Sequence, residues 1–232
     1  MSCLRLAALA ALSMASVASA DLELQFDGMY AHEAIHYSTD LDVSWDADAR
    51  ERNSFAFAGI LDLNGGELRA ACIELAQSVS EDLVPYDKQP FMPGTSEYER
   101  SLVLASLFAN SFDDVIASGS NAMAAAFAMM TWEIVTENFD GGPEVIADQV
   151  DVERGAVQFG DYSIDALAYF EEMRSELYVA TDSSDLITYR NDQYQDFAGQ
   201  VPAPGALALL GLAGLVGHRR RRQDDTGRAS AA

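Results

Sequence analysis

An α+β fold is what this sequence predicts: a β-sandwich or sheet region carrying an inserted group of helices. The apolar pattern repeats about every two residues from Leu22 to Leu75 and about every 3.6 residues in the segments that follow. The helical segments are grouped instead of alternating with strands, which separates an α+β body from an α/β one. No repeat at solenoid or propeller spacing is present.

The strand-like runs are LELQF, FAFAGILDL and LRAACIEL, separated by turn residues, and Asn64-Gly65-Gly66 between the last two reads as a hairpin turn. The segment VPYDKQPFMPGTS reads as a proline-bearing loop. Beyond it Thr95 or Ser96 can cap a helix with Leu102, Ala105, Phe108, Phe112 and Ile116 on one face. A second, alanine-rich helix with Phe127, Met130, Trp132 and Ile134 inward runs up to Asp140-Gly141-Gly142-Pro143. Strand-like pieces occupy EVIADQVDVERGAVQFGDYS, and a third helix spans Ser163 to about Leu177 with Ile164, Leu167, Phe170 and Met173 as its stripe. From Tyr178 to Phe197 the best strand candidate is LITYR.

The two ends have a different character. MSCLRLAALAALSMASVASA carries one positive charge at Arg5, an apolar run and the small residues Ala18, Ser19 and Ala20, the order of a secretory signal helix cleaved between Ala20 and Asp21. At the other end VPAPGALALLGLAGLVGHRRRR joins a proline pair, a hydrophobic helix and an arginine block. The organisation expected is a signal over residues 1–20, a body over 21–200, a tail signal over 201–222 and a polar remainder over 223–232. Gly205 to Gly217 is 13 residues, roughly 20 Å as a helix against a hydrocarbon core of about 30 Å. That is short for a permanent span, and the arginines after it would stay on the cytoplasmic side.

Charge narrows the partners. Of 14 Lys and Arg and 37 Asp and Glu, the body keeps 8 and 35, a net charge near −27. Such a surface repels phosphate backbones and argues against nucleic acid. Acidic pairs such as Asp40/Asp42 and Asp46/Asp48 lack the ligand spacing of an EF-hand loop. Cys3 leaves with the signal, so Cys72 is the lone thiol of the body and an internal disulfide is excluded.

His32-Glu33-Ala34-Ile35-His36 fits the H-E-x-x-H pattern, which on a helix binds zinc with the Glu as general base. Here its flanks read as extended, and on a strand His32 and His36 share a face about 13 Å apart, too far to share one zinc. Surface histidines on an edge strand are the expectation, with a zinc hydrolase as the minor alternative. No G-x-S-x-G, P-loop or dinucleotide fingerprint occurs, and no cofactor is expected.

Taken together, Val201, Pro202, Pro204, Gly205, the Leu/Ala/Gly run and Arg219, Arg220, Arg221 and Arg222 resemble the PEP-CTERM sorting signal, with Ala203 in place of the usual Glu. The resemblance implies export through the Sec machinery, transient anchoring in the inner membrane and processing by an exosortase-type transpeptidase. It further implies a destination at the cell surface or in the extracellular polysaccharide matrix of a Gram-negative-type bacterium, with matrix polysaccharide as a partner. FAFAGILDLNGGELRAACIELAQSVS, AAAFAMMTWEIVTENFD and NDQYQDFAGQVPAPG are in turn similar to a thioester-type domain of surface adhesins. In active members of that family a Cys at the position of Cys72 bonds to a Gln at the position of Ala128; a methyl group offers no carboxamide carbon to attack. The resemblance thus implies the fold without covalent capture, in a non-enzymatic protein. An adhesin or a glycan or ice binder is the alternative, though regular Thr arrays and exposed aromatic ladders are not evident in the sequence.

Overall fold

The computed structural model describes residues 22–39, 52–75, 77–91, 93, 95–136 and 143–200. The expected signal helix and C-terminal hydrophobic helix lie outside them. The fold is α+β: eight strands joined into one antiparallel sheet, with most of the helices between the fifth and sixth strands in chain order and one more between the sixth and seventh.

A long hairpin organises the sheet. Strand β2 (Phe26–Thr39) pairs with β3 (Arg52–Leu63) along nearly its whole length, with register shifts beside Gly28 and between Met29 and Ala31. The Asn64-Gly65-Gly66 turn follows as expected, each residue at positive φ, and leads to β4 (Leu68–Cys72). The short β1 (Leu22–Leu24) pairs with β5 (Val84–Gln89), β5 with β7 (Leu186–Arg190), and β7 with β8 (Phe197–Gln200). With β6 (Val157–Gly160) beside the end of β2, the order is β1-β5-β7-β8-β4-β3-β2-β6.

Strand β5 corrects the expectation of a loop over VPYDKQ. Only Tyr86 of its six residues is buried, so no alternating apolar pattern marks it; its pairing to strands on both sides makes it a strand. EVIADQ differs as well: Pro143–Val145 is a 3-10 turn and Ile146–Gln149 a short helix, while VQFG alone forms a strand.

The helical group begins at Thr95, whose side chain accepts the Tyr98 N–H at 3.1 Å and caps α1 (Ser96–Leu107). A π turn at Phe108–Phe112 joins it to α2 (Asp113–Ser118), ended by Gly119 in the left-handed region. Val103, Leu104, Leu107, Phe108, Phe112 and Val115 are buried. Of the expected face, Phe108 and Phe112 are buried, while Leu102, Ala105 and Ile116 are half-buried. By length and composition the run Glu97–Ser118 resembles a membrane span, but half of it is buried inside the protein, as in a core helix.

Helix α3 (Asn121–Thr136) is the hub, for every residue from Ala124 to Val135 is buried. It packs on β2, β3, β4 and β6 on one side and on α1 and α5 on the other. A helix buried all round needs partners all round, and Glu133 within it accepts the Asp151 backbone N–H at 3.2 Å. Phe127 sits against Phe108 and Phe112 with ring centroids 5.0 and 5.5 Å away, pairs that add about 0.5–1.5 kcal/mol each beyond their buried area. After the four-residue α4 (Ile146–Gln149), Ser163 caps α5 (Ile164–Ser175), which presents Ala166, Phe170 and Met173 to the core. Ile164, expected in that stripe, is exposed at the first turn, where the helix has not yet reached the core.

At Gly59 the hairpin strands approach so closely that a Cβ would stand 2.1 Å from the Ala31 carbonyl oxygen and 2.6 Å from His32 Cβ. Both are held by the strand pairing, and neither can swing away. Gly59→Ala is therefore expected to destabilise the protein by about 3 kcal/mol, read as a lowered urea midpoint; an unchanged midpoint would contradict the close crossing.

Candidate functional site

The expected processing residues lie outside the described residues: Ala20 and Asp21 at one end, and Val201 to Gly205 and Arg219 to Arg222 at the other. The same holds for the acidic pairs Asp40/Asp42 and Asp46/Asp48. Within the described residues, three groups bear on function.

The first is the H-E-x-x-H string, which lies on β2. His32 is opposite Gly59, Ala34 opposite Phe57 and His36 opposite Phe55, all on the outer face. Glu33 pairs with Ala58 and therefore points to the other face, toward the helices. There its carboxylate accepts the Ser163 backbone N–H at 3.2 Å and the Ser163 hydroxyl at 2.8 Å, fixing the residue that caps α5. The sheet thus splits the string across its two faces, and the Glu holds a helix start. Among the described residues no group of three or more His, Cys, Asp or Glu is placed to hold a metal ion. The expected edge position needs one refinement: β6 covers β2 only from His36 to Thr39, and the side of β2 around His32 is tied to helices instead. Asn121 Oδ1 accepts the His32 backbone N–H at 3.2 Å and the Tyr30 hydroxyl donates to the Ile116 carbonyl at 2.7 Å.

The second group surrounds Cys72 at the end of β4, buried in the core. Its thiol donates to the Glu74 carbonyl and its sulfur accepts the Glu74 N–H at 3.4 Å. Burial pushes the thiol up to about 12, against the weaker opposing effects of the Trp132 indole and the Glu74 backbone. The Trp132 indole N–H lies against the thiol without a hydrogen bond of conventional geometry. Helix α3 thus brings Trp132 to Cys72 and carries Ala128, one turn earlier, fully buried. A buried, protonated thiol lacks the thiolate, and an alanine at position 128 lacks the carboxamide, that a thioester needs.

The third group was not found from the sequence. Phe55 and Phe57 project from the outer face of β3, 68% and 62% exposed. The inward positions between and beyond them are Ala56 and Ala58, with Ala58 fully buried. In FAFA the bulky residues therefore face solvent and the small ones face the core, reversing the usual assignment. The signal was the Ala-Ala spacing, on a strand that packs against α3. The expectation of a body without exposed aromatic rows is corrected at this face.

No family model matches the chain, and neither a curated protein nor a solved structure matches it.

Cys72 gives a two-part prediction. In the folded protein it should resist a thiol reagent that modifies it readily in urea, and rapid modification of the native state would contradict its burial. An unfolded thiol ionises near 9.0, while burial pushes the folded one up to about 12. The folded state keeps its proton in that window, so stability is full below pH 9 and falls as pH rises toward 12, by up to about 1.4 kcal/mol per pH unit. Cys72→Ala should flatten the fall measured by urea unfolding across that range.

Proposed function

We propose that this is a non-enzymatic exported protein, a substrate for an exosortase-type transpeptidase, whose body is delivered to the cell surface or an extracellular polysaccharide matrix. The observation that carries the reading is the three-part tail: Val201-Pro202-Ala203-Pro204, a 13-residue apolar run from Gly205 to Gly217, and Arg219 to Arg222. The N-terminal charge, apolar run and small residues before Asp21 support it independently. In this reading Sec machinery translocates the chain, the short apolar run halts in the inner membrane and the arginines remain cytoplasmic. The proline motif is then presented to the processing enzyme on the exported side.

The body's arrangement is compatible with a passive cargo. Its first described strand starts at Leu22 and its last ends at Gln200, so the described packed elements fall between the two processing regions. Its sheet belongs to a finer architecture that we infer to be of the thioester-domain type, without the bond: Cys72 lies beside α3, and Ala128 replaces the Gln.

Intact-mass measurement of the protein isolated from the surface or matrix of its host tests the reading. The expected mass lacks the first 20 residues and everything after about Pro204 and shows no loss of ammonia at Cys72. A surface form retaining Arg219 to Arg222 would contradict sorting.

A further inference from the structure

We propose that the outer face of β2 and β3, centred on Phe55 and Phe57, is a docking surface for a neutral polysaccharide chain. On this face lie three cross-strand rows: Gly59 with His32, Phe57 with Ala34, and Phe55 with His36. The two phenyl rings are two residues apart on one strand, about 6.6 Å, the scale of one sugar ring. Each meets an imidazole edge to face: His32 with Phe57 at 4.9 Å and His36 with Phe55 at 5.3 Å, both at 77°. These contacts hold the phenyl rings in place, and the small Ala34 and Gly59 leave low ground beside Phe57. Apolar ring faces suit the C–H side of a sugar, and imidazole nitrogens can exchange hydrogen bonds with hydroxyls.

Charge selects the occupant. Among the described residues, the outward positions of β2, β3 and β6 around the rings include His32, Ala34, His36, Ser38, Gly59, Gln158 and Gly160, and none of these carries a carboxylate. Elsewhere the body carries 35 acidic residues against 8 basic ones. A second copy of this chain would bring the same negative field to the contact, and an anionic polymer would be repelled; an uncharged chain meets neither penalty. The choice of a polysaccharide among neutral polymers rests on the proposed delivery to a matrix. The support of the face is rigid, for Asn121 and Tyr30 fasten β2 to the helices and Gly59 locks the strand crossing.

Affinity electrophoresis of the protein purified from its host, in gels cast with hydroxyethyl cellulose, mannan, dextran or alginate, tests this. The expected result is retardation by at least one of the three neutral polymers and none by alginate. Phe55→Ala/Phe57→Ala should weaken that retardation about tenfold or more, with an unchanged urea midpoint. Phe55→Leu/Phe57→Leu, which keeps apolar bulk and loses the ring faces, should weaken it similarly. No retardation in any neutral gel, or retardation that both variants leave intact, would overturn the proposal. A change in sedimentation with polymer binding intact would assign the face to a second copy and also overturn it. Since binding is measured on purified protein, failure here is separate from failure of the processing test by mass.

Discussion

Everything in this fold answers to one constraint: the central turns of α3 have no exposed face. Twelve consecutive residues from Ala124 to Val135 are buried, so the helix is stable only when enclosed by the sheet on one side and by α1 and α5 on the other. Its alanines allow close approach, and the sheet replies with small residues of its own, Ala31 and Ala58 among them. The bulky Phe55 and Phe57 are consequently displaced to the outside. The exposed aromatic face and the buried thiol beside Trp132 are two consequences of where α3 lies.

Electrostatics contributes little to holding this arrangement together. Among the described cations, Arg69 pairs with Asp62, Arg174 with Glu171, and Arg190 with Glu97 and Asp196. Arg69 also covers the Tyr30 ring at 3.7 Å. Pairs at the surface are worth roughly 0–1 kcal/mol each, and they face an excess of carboxylates that repel one another. Stability therefore comes from packing, helped by polar ties that join distant segments. Ser101 and Ser183 bond hydroxyl to hydroxyl at 2.8 Å, and Ala180 donates to the Leu102 carbonyl at 3.0 Å, fastening the stretch before β7 onto α1.

The sequence was most legible where local chemistry and global packing agree. Thr95 and Ser163 cap helices in the structure as their side chains suggest, and Asn64-Gly65-Gly66 makes the turn that its freedom at positive φ allows. It was least legible where tertiary context decides. Strand β5 buries one side chain and is held by neighbours far away in sequence, and the π turn at Phe108–Phe112 resets a periodicity that a fixed 3.6 repeat cannot follow. At the candidate site the lone Cys72 and the split histidine string could be read directly. The orientation of Phe55 and Phe57 could not, because it depends on the volume of a helix more than sixty positions along the chain.

The order of the sheet and of the other helices depends on α3. Hydrogen exchange of the α3 amides tests that dependence most directly. If α3 is the hub, amides from Ala124 to Val135 should exchange only through global unfolding, with opening free energies equal to that measured by urea. Exchange of α3 by local opening, faster than that of β2 and β3, would contradict it.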